Sequence, residues 1–167
     1  MRPAELANDV ARTADAAIHA LEQAEKAGER YDIVCVLEPT APLRTAEDID
    51  AALSLMLERG ADSVIGLKRA AFGSLRRLRA IKDGVVSQLF PESGTLGQPA
   101  EGEAVYLPGG GIFAARRELL LKERTLCGSS QAGYILPADR GLDIDTPEDM
   151  ALAEALIQKW NDSPVKS

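Results

Sequence analysis

The stretch from residue 31 to residue 44 limits the possible folds more than any other. Ile33-Val34-Cys35-Val36-Leu37 is apolar without alternation and rich in β-branched side chains. Such a run suits a strand over 31–37 covered on both faces, as in a parallel sheet. It passes directly into Glu38-Pro39-Thr40-Ala41-Pro42-Leu43-Arg44. Pro39 and Pro42 forbid regular pairing there and stiffen the segment into a loop.

The pattern around this stretch is that of an α/β domain. Residues 4–27 carry Leu6, Val10, Ala14, Ala17, Ile18 and Leu21 at helical spacing, and Gly28 follows. Thr45 opens a second helix, with Asp48 in the place of a capping-box partner. Its expected buried stripe is Ile49, Ala52, Leu53, Met56 and Leu57, and Gly60 marks the stop. A strand over 63–67 completes a strand, loop, helix, strand unit. Residues 76–81 and 85–89 flank Lys82-Asp83-Gly84, a hairpin signal. Residues 90–105 have no period and read as a loop. Gly109-Gly110-Gly111 precedes a strand over 112–115, then a short helix over 116–122 and a strand over 134–136. Finally Thr146, Pro147, Glu148 and Asp149 have the chemistry of a helix start: an N-cap, a proline at the first helical position, and acids in the first turn. Met150, Ala153, Leu156 and Ile157 are its expected buried stripe, and 161–167 reads as a frayed tail.

Composition narrows the class. At 167 residues with 46% hydrophobic content, the chain is long enough for one domain with a real core. A formal net charge of −7 argues against a general nucleic-acid or membrane-surface binder. A local basic patch is still possible at Lys68, Arg69, Arg76, Arg77 and Arg79, although a solvated hairpin face explains it too. Cys35, Cys127 and the single histidine, His19, form no metal-type spacing. Cys35 reads as a small buried hydrophobe, and His19 as a helix residue beside the core stripe. A disulfide framework is not expected, which suits a cytoplasmic location. No run has the length of a membrane span, and no signal-peptide core is present.

Three places could carry chemistry. Asp143 and Asp145 are two residues apart, so an extended backbone points both to one face, with Ile144 turned inward. Two carboxylates with water and phosphate oxygens are what magnesium favours. The other reading is an acidic pair that merely starts a helix. Arg44 closes the proline loop at the end of a strand, where open α/β sheets bind ligands. It could grip a phosphate or carboxylate, or pair on the surface with Glu47 or Asp48. The three glycines at 109–111 permit close approach of a ligand, or simply a turn ahead of a strand. No serine, cysteine or histidine arrangement indicates covalent catalysis.

Taken together, four stretches resemble the acylneuraminate cytidylyltransferases and related CMP-nonulosonate synthetases. They are Arg2-Pro3-Ala4-Glu5-Leu6-Ala7 with Asp9 and His19-Ala20-Leu21; Leu37-Glu38-Pro39-Thr40-Ala41-Pro42-Leu43-Arg44-Thr45; Pro108-Gly109-Gly110-Gly111-Ile112-Phe113; and Asp143-Ile144-Asp145-Thr146-Pro147-Glu148-Asp149. They occur in the family's order over nearly the whole chain, and the second and fourth are the specific ones.

The resemblance implies a nucleotide-diphospho-sugar transferase-like (Rossmann-like) fold, a three-layer sandwich with a mostly parallel sheet. It implies one domain over 1–167, with 69–106 as a hairpin arm through which a homodimer forms. The implied reaction joins CMP from CTP to an acidic nonulosonic sugar with release of pyrophosphate, assisted by Mg2+ on Asp143 and Asp145. Arg2, Thr13 and Glu38 would line the nucleotide; Arg44 would sit near sugar or phosphates; Arg76, Gly109 and Gly110 would face the sugar.

This sequence departs from the family pattern at several points. Glu38 stands where a Gln is usual and Gly109 where an Asn is usual. The arginines expected between Gln98 and Pro108 are absent, which favours a sugar other than sialic acid. The family opens with a strand and a basic Gly-rich loop, and this chain begins after them, so an N-terminally truncated domain is expected. A non-catalytic homologue acting as a subunit module, and a nucleotidyltransferase for another acidic sugar, are the alternatives.

Overall fold

The computed structural model describes residues 3–8, 11–70, 79–88 and 104–162. The chain falls into two compact units, Met1–Lys68 with Pro108–Ser167, and Arg69–Leu107. Within them run a 3-10 turn (Ala4–Leu6), α1 (Thr13–Lys26), β1 (Ile33–Leu37), α2 (Ala46–Glu58), β2 (Ser63–Arg69), β3 (Arg79–Lys82), β4 (Val85–Gln88), β5 (Tyr106–Arg116), α3 (Arg117–Glu123), β6 (Gln131–Ile135) and α4 (Pro147–Asp162).

The main sheet has the order β1-β5-β2-β6. β1 pairs with β5 antiparallel, from Ile33 opposite Arg116 to Leu37 opposite Ile112. β2 pairs with β6 in parallel, from Ser63 opposite Gln131 to Leu67 opposite Ile135. The fold is therefore mixed α/β with a mixed sheet. β1 is covered on both faces as its apolar run requires, but its neighbour is an antiparallel strand. β1 and β2, expected as one strand-helix-strand unit, are separated in the sheet by β5.

Alternation along β1 and β5 divides the core in two. Val34, Val36, Phe113 and Ala115 join Ala14, Ala17, Ile18 and Leu21 of α1 and Leu119 and Leu120 of α3. Ile33, Cys35, Ile112 and Ala114 join Ala52 and Met56 of α2 with Val64 and Leu136. Met56 has no exposed surface, and full burial of a side chain that size stabilises by about 1.5–3 kcal/mol. Burial also pushes the Cys35 thiol above its usual pKa.

Several local expectations shift. The first helix begins at Thr13 rather than near residue 4. Asn8 explains part of this: its side-chain oxygen accepts the Ala11 N–H at 2.9 Å, a local turn that competes with a helix. The three glycines do not precede a strand but lie inside β5, with Gly110 at φ 71° and Gly111 at φ 53°. Leu57 of α2 and Met150 and Ile157 of α4 are exposed, and Ala153 alone represents the described α4 side chains in the core. The 90–105 loop lies outside the described residues except for 104 and 105, and 163–167 lies outside them too.

The second unit contains the β3–β4 hairpin, in which Lys82 faces Val85 across Asp83-Gly84. Both turn residues have positive φ, 50° and 77°, as a two-residue primed turn demands.

α4 starts as its sequence predicts. Asp149 accepts the Thr146 N–H at 2.9 Å and the Thr146 hydroxyl at 2.8 Å, and its own N–H donates to the Thr146 Oγ1 at 3.2 Å. The Thr146 hydroxyl foremost, then the Asp145 N–H, hold the Asp149 carboxyl below its usual pKa. A depressed folded pKa means the cap stabilises fully above the unfolded carboxyl pKa and loses that contribution as pH falls through the folded value. Thermal midpoints of the wild type are expected to drop more steeply over that acidic interval than those of Asp149→Asn. Parallel curves would remove Asp149 from the acid response.

Candidate functional site

Three backbone segments meet at the C-terminal end of β1. The first is the proline loop. Arg44 turns back over it, and its Nη1 donates to the carbonyls of Glu38 at 2.6 Å, Ala41 at 2.7 Å and Gly110 at 3.3 Å. A loop stiffened by two prolines has few N–H groups of its own, so a side-chain fork gathers its carbonyls. Ala41 and Leu43 pack beneath with no exposed surface.

The second segment is the glycine stretch of β5. The Glu38 N–H donates to the Gly111 carbonyl at 2.9 Å, one step past the last β1–β5 pair. A Cβ on Gly111 would stand 2.9 Å from that of Glu38 and 3.0 Å from that of Ala41. Positive φ and this close approach both call for glycine.

The third segment is 141–145, which pairs in no strand. The Ile144 N–H donates to the Thr40 carbonyl at 2.8 Å, fastening the Asp-x-Asp stretch to the proline loop. Asp143 is half-buried and Asp145 exposed. Lys68, at the end of β2, places Nζ 3.3 Å from Asp143 Oδ2.

The structure thus brings together Glu38, Arg44, Gly109, Gly110, Asp143 and Asp145. Thr13 is exposed in the first turn of α1. Glu25, near the other end of α1, pairs with Arg117, whose N–H donates to Asp32 beside the start of β1. Thr13 therefore lies toward the Glu38 end of the sheet. Arg2 and Arg76 lie outside the described residues. Arg44 does not form the alternative surface pair with Glu47 or Asp48; its guanidinium turns to the main-chain carbonyls instead.

Sequence reasoning missed the support beneath the site. Asp48 is 1% exposed, yet its carboxylate is fully partnered. It accepts the Tyr134 hydroxyl at 2.9 Å and the Thr45 N–H at 2.9 Å, and pairs with Arg140 at 3.3 Å. Arg140 also donates to the Thr45 hydroxyl at 3.2 Å. This one carboxylate joins the start of α2, β6 and the segment leading to Asp143. Burial, followed by the bond to Asp48, pushes the Tyr134 phenol above its usual pKa. The available signal was Asp48 itself, a shorter acid than usual at its capping-box position. Lys68 was visible only as part of a basic cluster.

Among the described residues no group of three or more His, Cys, Asp or Glu side chains is placed to hold a metal by itself. Asp143 and Asp145 do match the donor set of a cation completed by water and phosphate. A cleft of about 940 Å³ opens at the other end of the sheet, near Glu25, Arg30, Asp32, Arg116 and Arg117. None of the described sequence-predicted site residues lines it.

The mixed α/β architecture and the site at its strand end are compatible with a nucleotidyltransferase-like fold. No protein-family model matches the chain. The chain is similar to the post-translational flagellin modification protein B of Campylobacter coli, 26% identical over 161 residues, covering 96% of this chain and 68% of that protein. It is also similar to the N-acylneuraminate cytidylyltransferase of Escherichia coli O18:K1:H7 (strain RS218 / NMEC), 29% identical over 163 residues, covering 96% of this chain and 37% of that enzyme. The chain thus spans little more than a third of the second relative's length. These two homologues, at low identity, are consistent with the CMP-nonulosonate synthetase resemblance of the motifs. No described helix is long and apolar enough to cross a membrane.

Proposed function

We propose that this chain carries the sugar- and metal-facing part of a cytidylyltransferase that joins CMP to a nonulosonic acid. The observation that carries this reading is the convergence of the proline loop, the glycine stretch and the Asp-x-Asp segment. Arg44 and the Ile144–Thr40 hydrogen bond hold them together. The relatives' names supply the substrate class, and a three-layer, mostly parallel nucleotidyltransferase core is the fold this reading carries with it.

In the proposed reaction the sugar's anomeric hydroxyl attacks the α-phosphorus of CTP. An oxygen–phosphorus bond forms, and the bond to pyrophosphate breaks. Asp143 and Asp145 would hold Mg2+, which supplies positive charge against the triphosphate. Arg44 keeps the carbonyls of the loop turned inward and adds positive potential beside Glu38. Gly109 and Gly110 leave room for substrate, and Thr13, Glu38 and Arg2 serve the nucleotide. Arg76 serves the sugar. The β3–β4 hairpin exposes the cross-strand partners Ile81 and Val86 at 73% and 60%, an apolar pair on one face suited to packing against a second copy in a homodimer.

Titration calorimetry with CTP, with and without Mg2+, tests the reading, with UTP and GTP as controls. Magnesium-dependent binding that prefers CTP and disappears in Asp145→Ala is the expected result. A folded sample that binds none of the nucleotides would instead fit a non-catalytic subunit module. Preference for another nucleotide would point to a different sugar-nucleotide product.

A further inference from the structure

Lys68 is held more carefully than a surface lysine requires. A Cβ on Gly109 would lie 2.9 Å from both Cβ and Cγ of Lys68, and one on Gly141 would lie 2.8 Å from its Cβ. Two backbones thus flank the aliphatic stem, and a side chain on either glycine would displace it. The slot aims the ammonium at Asp143, with Nζ 3.3 Å from Oδ2 and the two side chains 34% and 21% exposed. A pair this open to water contributes little stability, so stability alone does not account for the seat.

Resting on the metal reading above, we propose that Lys68 is the resident counter-ion of the cation site. Its ammonium neutralises Asp143 in the metal-free protein and gives way when a divalent cation arrives. Cation and ammonium compete for one carboxylate oxygen. A bare cation therefore binds weakly, whereas a nucleotide polyphosphate offers oxygens to the cation and a new partner to the freed ammonium. Metal and nucleotide are accordingly expected to bind as a pair rather than in sequence.

The test is titration of the protein with Mn2+, followed by the loss of the free-ion paramagnetic resonance signal, without nucleotide and without turnover. Lys68→Met keeps the stem in its slot and removes the charge. Lys68→Arg keeps the charge. Lys68→Met is expected to bind Mn2+ about thirtyfold more tightly, the effect of removing one unit charge about 4 Å from a divalent ion in a water-like medium. Lys68→Arg should match the wild type. Equal or weaker Mn2+ binding by Lys68→Met, with an unchanged circular dichroism spectrum, overturns the assignment. Asp143→Ala separates the two levels of the reading. If Asp143→Ala abolishes binding while Lys68→Met changes nothing, the cation site stands and the role of Lys68 falls. If no protein binds Mn2+, with or without CTP, the cation site itself is wrong and this assignment falls with it.

Discussion

Asp48→Ala is expected to lower the unfolding free energy by about 3–5 kcal/mol, the range for breaking one side of a buried ion pair. The carboxylate is 1% exposed and is shared by Tyr134, Thr45 and Arg140. Its removal leaves a phenol and a guanidinium in a site built for an anion and also takes away the N3 half of the α2 capping box. Urea unfolding followed by circular dichroism measures the effect. Adding Arg140→Met to Asp48→Ala should recover part of the loss, because the unpaired cation goes with it. A loss below about 1 kcal/mol, the level of an exposed pair, would mean that water or a shifted side chain replaces Asp48 readily. Since Arg140 lies just before the Asp-x-Asp segment, the proposed function carries a second expectation: the weakened variant binds CTP less tightly at temperatures where it remains folded.

The second large effect is expected at Gly66. It has no positive φ, so backbone preference alone would allow alanine there. A Cβ at this position would nevertheless lie 2.5 Å from the Gly109 carbonyl oxygen, 3.1 Å from Leu136 Cδ1 and 3.3 Å from Ile112 Cβ. The first of these contacts is backbone, which cannot rotate away, so β2 and β5 must separate. Gly66→Ala should cost about 3 kcal/mol, the upper part of the usual overpacking range. Gly60→Ala is the comparison: φ there is +60°, but nothing stands within 4 Å of the added Cβ. That change should cost about 1–2 kcal/mol from left-handed strain. Chemical denaturation of the two variants should therefore rank the glycine with ordinary φ as the more sensitive. The reverse order would show that the sheet relaxes around Gly66.

These two residues show what could be read from the sequence. Features closed within a few residues were legible: the Asp83-Gly84 turn, the Thr45–Asp48 box and the Thr146–Asp149 start each express local chemistry. The candidate site was legible as three motifs, because proline, glycine and paired aspartates each leave a strong local mark. Pairing between distant segments was not. The apolar run of β1 signals burial on both faces but carries no information on strand direction, so its antiparallel partner β5 appeared only in the structure. Asp48 meets Tyr134 across 86 positions and Lys68 meets Asp143 across 75. Neither acid differs in sequence from an exposed one. Asn8 is a local turn signal, and its bond to the Ala11 N–H lies just ahead of the start of α1 at Thr13.

The glycines at 66, 109 and 141 form a seam in which main chain meets main chain or a lysine stem. Distances across such a seam are set by main-chain contact and by the one lysine stem that the glycines admit. The Asp-x-Asp segment is thus referenced to the sheet through close main-chain packing at Gly109 and Gly141. A core residue away from the seam, such as Met56 of α2, can change size without touching any of the three glycines. The seam separates the evolution of the core from the alignment of the site: mutational drift in packing reaches stability first and the spacing of the carboxylates last.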